Sequence, residues 1–273
     1  MKTPIICALS LLFVLSSCKK EEKARQPESI VTTTIEPETE NDIAKTETSA
    51  LKISPIDHAT MVLEYENEVL YIDPVGGKEA FDTCKTPTMV VITDIHYDHL
   101  DLPTLEAINN DSLKILAPKA VFEKLTADLK AKTTVIANGE TKTLSTLSFE
   151  AIPMYNLRKE ALHFHDKGRG NGYVITFGQE RIYISGDTED IPEMRALKNI
   201  DKAFVCMNLP WTMPVDNASN AVLEFKPKQI YPYHYRNQEG FSDVAKFKML
   251  INSSSDDIEV VQLDWYKGSD VSQ

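Results

Sequence analysis

The segment Val90-Val91-Ile92-Thr93-Asp94-Ile95-His96-Tyr97-Asp98-His99-Leu100-Asp101 sets three carboxylates and two imidazoles directly behind an apolar run. Val90 to Thr93 reads as a short buried strand, so Asp94, His96, Asp98 and His99 fall on the loop that leaves its carboxyl end. Loops of that kind carry the sites of α/β proteins. Alternate residues of an extended segment point the same way, so Asp94, His96 and Asp98 can converge, while a turn after Asp98 brings in His99. Imidazole nitrogen and carboxylate oxygen are the donors that suit zinc, manganese and iron. A merely acidic loop would leave two histidines within four residues unexplained.

Four further histidines are scattered along the chain: His58, His163, His165 and His234. Any one alone is more often a satisfied core or surface residue than a ligand, so their joint placement carries the reading. The chain has no G-x-S-x-G elbow and no P-loop, so neither of those motifs marks a site in it.

The elements that must position these side chains fall into two β-rich halves. Strand-like runs at "LKIS", "TMVLEY" and "VLYIDP" precede "MVVIT"; helical patterns at Leu102 to Asn109 and Lys119 to Leu129 then alternate with "KILA" and "TVIA". A second set, "TLSFEAIPM", "NGYVITFG" and "RIYISG", has a hairpin turn at Gly178-Gln179. Helices at Pro192 to Leu197, Asp216 to Phe225 and Phe241 to Ile251 follow, alternating with strands at "AFVCM", "IYPYHY" and "EVVQLDW". Two such halves suggest two sheets face to face with helices outside.

In "TDIHYDH" at 93 to 99, "HFH" at 163 to 165, "ISGDTED" at 184 to 190 and "YPYHYR" at 231 to 236, the chain resembles the metallo-β-lactamase-fold hydrolases. Their signature is H-x-H-x-D-H after a buried strand, then a single His, a Gly-Asp strand end and a final His. "GRGNGYVI", "YISGDTEDIPEM" and "CMNLPWTM" look more narrowly like the lineage of ascorbate-phosphate lactonases and N-acyl phosphatidylethanolamine phospholipases. The resemblance implies a four-layer αββα sandwich over residues 51–273 and a hydrolase that cleaves an ester, lactone, amide or phosphoester bond with a hydroxide shared by two metals. It also implies one metal at Asp94, His96 and His165 and another at Asp98, His99 and His234, with Asp187 bridging. Asp98 and Asp187 are then the catalytic carboxylates. Two departures from the family stand out: Asp94 replaces the first histidine, and the usual segment for the third histidine is missing. His165 is the expected third histidine and His163 its rival. Zinc is expected first, with manganese or iron as alternatives because Asp94 makes its site more anionic.

Asp73 in "YIDPV" resembles the family's buried aspartate that orients the histidine loop, and His58 a nearby histidine that is not a ligand. A small, anionic substrate is expected against Arg169, Asn171, Tyr155, Asn156, Trp211 and Tyr235. Two other roles are weighed against the hydrolase: a non-catalytic metal-binding or ligand-sensing lipoprotein, and iron-dependent oxygen chemistry.

Among 273 residues with 42% hydrophobic content there is material for one large core. Residues 1–18 have the charged start, short apolar run and small-residue end of an export signal, and "LSSC" resembles the bacterial lipobox that would acylate Cys18. Residues 19–50, rich in Glu, Lys, Thr and Pro, read as a disordered tether. The expected location is the bacterial cell envelope, at the outer membrane or cell surface, with the lipid anchor touching the membrane. A net charge of -12 disfavours nucleic acid, whose affinity comes from Lys and Arg against phosphates. Cys84 and Cys206 are expected to be free thiols, Cys206 because it sits in a buried-strand pattern.

Overall fold

Strict alternation in the first strands divides the core in two. In a computed structural model that describes residues 50–267, Met61, Leu63, Leu70, Ile72, Met89 and Val91 join one buried cluster, while the intervening Val62, Val69, Tyr71 and Val90 join another. Successive side chains of a strand point to opposite faces, so both faces of this sheet must be covered. One is covered by a second sheet, contributing Phe149, Ala151, Tyr173 and Ile175. The other is covered by short helices through Leu105, Ile108, Val121 and Leu129.

The first sheet is β1 (Lys52–Asp57), β2 (Thr60–Tyr65), β3 (Glu68–Ile72), β4 (Met89–Val91), β5 (Lys114–Ala117) and β6 (Thr133–Val135), in that spatial order. Its first two pairings are antiparallel and the rest parallel. Helices α1 (Leu102–Ile108), α2 (Lys119–Lys124) and α3 (Ala127–Ala131) make its crossovers. The second half repeats the plan: β7 (Thr141–Leu144), β8 (Leu147–Met154), β9 (Gly170–Phe177) and β10 (Glu180–Ile184) are antiparallel neighbours. Parallel strands β11 (Lys202–Cys206), β12 (Gln229–Tyr233) and β15 (Glu259–Val260) extend the sheet from β10. Helices α4 (Pro192–Arg195), α5 (Val215–Phe225) and α6 (Val244–Asn252) supply Met194, Val222 and Phe247 to the core. The four-layer sandwich expected from the sequence is the observed fold. A small hairpin, β13 (Arg236–Asn237) with β14 (Gly240–Phe241), follows β12.

Three expected elements differ. The helix expected from Lys119 to Leu129 is two, because Leu125 and Thr126 are extended and Leu125 turns into the core. The last helix starts at Val244 rather than Phe241, since Asp243 caps it by accepting from the Lys246 amide at 2.8 Å. The final strand is two residues long, not seven. Gly178-Gln179 does form the two-residue link between β9 and β10.

Cys84 and buried Cys206 are free, and burial pushes the Cys206 thiol up to about 12. The export signal, the lipobox and all but the last residue of the tether lie outside the described residues. Among the described residues no helix is long and apolar enough to cross a membrane.

Candidate metal centre

The carboxyl ends of β3, β4, β8, β10, β11 and β12 lie at one edge of the two facing sheets, and the loops leaving them carry the polar cluster. From β4 the chain runs through Thr93 and Asp94 into the turn that holds His96, Asp98 and His99, closed by the His99 and Leu100 amides on the His96 carbonyl. The loop after β8 brings His165, β10 leads through Gly186 to Asp187, and β12 ends at His234. Gly186 has φ +60°, and a Cβ there would lie 2.6 Å from Met154 Sδ and 3.2 Å from the Asn171 carbonyl. Glycine takes this φ without strain and spares that crowding as the chain enters Asp187.

Two groups of donor atoms meet there. Asp94, His96 and His165 form one: Asp94 Oδ2 is 2.6 Å from His96 Nδ1 and 3.9 Å from His165 Nε2. His99, Asp187 and His234 form the other, and His58, Asp98 and His234 offer a third grouping that shares His234. Asp187 faces both sides, with Oδ2 3.2 Å from His165 Nε2 and 3.5 Å from His99 Nε2, and Oδ1 3.3 Å from His234 Nε2. His163 is in none of these groups and lies against Phe164 instead.

The donor orientation is set from behind. Asp73, wholly buried, accepts from the Thr93 amide and hydroxyl at 2.7 and 2.6 Å and pairs with His99 Nδ1 at 2.8 Å. A proton held on Nδ1 by that carboxylate leaves Nε2 with its lone pair toward the cluster. Yet His99 Nε2 and His234 Nε2 stand only 3.2 Å apart. Two lone pairs at that distance repel unless a proton or a cation lies between them. Among the described residues the buried Oδ1 of Asp187 has no hydrogen bond, only the ion-pair contact with His234, so a carboxylate oxygen is also aimed at this space. Such a donor set fits divalent cations.

Electrostatics agree with that fit. Burial opposes charge on Asp187, but His234, His99 and His165 hold its carboxyl well below the usual range. For His99 burial works downward, and Asp187, Asp73 and Asp98 nevertheless raise it well above an ordinary imidazole. Asp73 is raised because burial outweighs its bonds to His99 and Thr93. These carboxylates demand positive charge, which protons supply when cations do not.

Strain concentrates here as well. His58, Asp73 and His234 have φ of 53°, 44° and 48°, a region costing about 1–3 kcal/mol per non-glycine residue and found where surrounding structure imposes it. His58, expected near the site without being a direct ligand, puts Nε2 3.5 Å from Asp98 Oδ2 and its ring 3.7 Å from that of His234, tilted by 34°. It falls in the third donor grouping, with Asp98 and His234. The ring is pinned by Nδ1 on the Tyr266 hydroxyl at 2.8 Å, and burial with the neighbouring His234 pushes it down to about 4.

Five of the six expected substrate contacts are engaged elsewhere. Arg169 forks onto Asp94 at 3.2 and 3.0 Å and onto the Phe164 carbonyl, so it serves the donor set. Asn171 donates to the Ile136 carbonyl and takes an amide bond from Asn138, joining the two sheets. Asn156 donates to the carbonyls of Ala161 and Trp211, and its amide reaches the His165 carbonyl, so it shapes the loop that presents His165. Tyr155 donates to Glu193 with Lys167 over its ring, and Tyr235 is buried against Phe241 and Tyr266. Trp211 alone lines the cavity above the cluster. Sequence reasoning missed Thr93, Asn208, Arg236 and Tyr266; only the hydroxyl directly before Asp94 carried any local signal.

A family model described as the beta-lactamase superfamily domain matches residues 71–235. This chain belongs to the metallo-β-lactamase superfamily. Within the superfamily, it is 36% identical to a crystal structure from Parabacteroides distasonis assigned as a metal-dependent hydrolase, with TM-score 0.70 over 78% of this chain and 94% of that one. Proteins called UPF0173 metal-dependent hydrolases are also similar. The one from Methanosarcina mazei is 27% identical across 76% of this chain and 93% of its own length. That from Pyrococcus abyssi is 24% identical across 75% and 94%.

Proposed function

We propose that this superfamily member is a binuclear metal-dependent hydrolase acting on an ester, lactone, amide or phosphoester bond. The observation that carries the reading is Asp187, whose carboxylate lies 3.2 Å from His165 of the first donor group and 3.5 and 3.3 Å from His99 and His234 of the second. Asp94, His96 and His165 would hold one cation, Asp98, His99 and His234 the second, with Asp187 shared; zinc is the first choice. Bound there, the ions would make a water ionisable near pH 7 and polarise the substrate's carbonyl or phosphoryl oxygen.

The protein's own groups then have distinct tasks. Asp98, with Oδ2 3.5 Å from both His58 and His234, is partly exposed to the cavity and can accept a proton from the attacking water. Asp73 holds the His99 proton on Nδ1, and Arg169 fixes the Asp94 carboxylate so that it faces His96 and His165. Export and lipid anchoring at Cys18 would place this chemistry at the cell envelope, at the outer membrane or cell surface, as the lipobox-like start suggests.

Asp187→Ala and His96→Ala should each abolish hydrolysis across an ester, lactone and phosphodiester panel while the protein stays folded. Retained activity in both variants, or full activity after exhaustive chelation, would overturn the reading. Two bound metals per chain with no turnover would favour metal carriage, and activity of a zinc-only preparation without oxygen excludes oxygen chemistry.

A further inference from the structure

The cavity over the donor cluster, about 690 Å3, has four carboxylates in its lining: Asp57, Asp98, Asp101 and Asp187. Against them stands one fixed positive charge, Arg236. Arg236 lies two residues beyond His234, on β13, and its amide donates to the Tyr266 hydroxyl at 3.0 Å. Its guanidinium lies over the Tyr266 ring at 4.5 Å. The same Tyr266 hydroxyl meets His58, so Arg236 is tied to the frame that holds the cluster.

Asp57 takes one of the five guanidinium donors, at 3.1 Å from Nη2. No other acceptor on the protein claims the rest among the described residues. Both side chains of that pair are about half exposed, at 45% and 49%, so it contributes little stability and can rearrange around a ligand. A planar fork with free donors matches a carboxylate bidentately. Apart from any bound cations, a dianionic phosphate would meet one guanidinium already shared with Asp57. The remaining walls include three aromatic side chains, Phe164, Trp211 and Tyr97, the last 87% exposed. Aromatic faces such as the half-buried Phe164 and Trp211 suit an apolar body.

We propose that Arg236 recognises the anionic group of the substrate, and that the substrate is a small molecule with an apolar, aromatic-sized body and a single carboxylate. This rests on reading the cavity as the hydrolase's substrate site. The position expected to clamp an anion thus moves from Arg169, spent on Asp94, to the opposite end of the chain's motif set.

Calorimetric titration of the metal-bearing protein with 4-phenylbutyrate and its neutral amide, 4-phenylbutanamide, tests this without turnover. The acid should bind at least about tenfold more tightly than the amide. Arg236→Gln should remove that preference and leave amide affinity within about twofold, Arg236→Lys should restore part of it, and Trp211→Ala should weaken both ligands. Unchanged acid affinity in Arg236→Gln, as expected if metal alone held the carboxylate, overturns the proposal. So does failure of both ligands to bind the unaltered protein. Because binding is measured directly, loss of the hydrolase reading would show separately, as absent chelator-sensitive turnover.

Discussion

Both nitrogens of His99 are assigned by their neighbours, and this is the tightest constraint in the site. Asp73 holds Nδ1 at 2.8 Å while Nε2 looks at His234 and Asp187. Asp73 is itself fully buried and strained at φ 44°, and it is held there by two hydrogen bonds from Thr93, by its own amide on the Val91 carbonyl and by the Thr60 hydroxyl on its carbonyl. Asp73→Ala should lower metal affinity about 10–100-fold, the usual effect of losing a histidine's outer partner, with chelator competition as the measurement. Affinity equal to the parent would show that packing alone orients His99. At this scale much was legible from residue types. The alternation of Asp94 and His96 pointed to a shared centre, whereas Asp98, expected beside them, groups with His58 and His234 instead; "HFH" narrowed the third histidine to two. What local sequence could not reveal was that Arg169 and Asn171 are used up inside the protein, because their partners lie 75 and 35 positions away.

Elements hold the site by anchoring loops to one another. Glu189, almost wholly buried, accepts from the amides of Leu157 and Arg158 and from Arg158 Nε at 2.6 Å. Arg158 in turn donates to the Pro210 and Thr212 carbonyls, so the loops bearing His165 and Trp211 share one ion pair. Glu189→Ala strands Arg158 and two amides and should cost about 3 kcal/mol in denaturant unfolding. Next to it, Asp190 links α4 to α5 by accepting from Arg195 at 2.6 Å and Asn217 at 3.0 Å. Burial pushes the Asp190 carboxyl up, but those two donors outweigh it and hold the group below its ordinary value. A depressed carboxyl stabilises the fold above its unfolded pKa, about 3.9, and that contribution fades as pH falls through the folded value. Asp190→Asn should therefore cost about 1.5 kcal/mol at pH 7. The gap between variant and parent should close in acid, which paired unfolding curves from pH 7 to 2.5 would show. A gap independent of pH would mean shape, not charge, matters there. Element types were readable from alternation and helical spacing, whereas the break at Leu125 was not, since a continuous helical pattern runs through the extended pair Leu125-Thr126.

Across the whole molecule, two half-structures of like plan are brought face to face, and the donor cluster sits where both release their loops. Asp94 and His99 come from the first half, His165, Asp187 and His234 from the second. Cations held by both halves must therefore stabilise the assembly as a unit. Removing them should lower the unfolding free energy by about 4 kcal/mol at metal levels a thousandfold above the dissociation constant, seen as a fall in Tm on chelation and its recovery on adding zinc. An unchanged Tm would mean that nothing bound there bridges the halves. Read alone, the order of residues pointed to two facing β-rich halves and supplied the inventory of donors, because period-two apolarity and dense His/Asp loops are local signals that survive without coordinates; the four-layer sandwich was implied by the resemblance. Which donors share a centre, which arginine guards the substrate and which is consumed in support were decided by tertiary structure. Those choices depend on distances between residues far apart in the chain, and no local pattern records such distances.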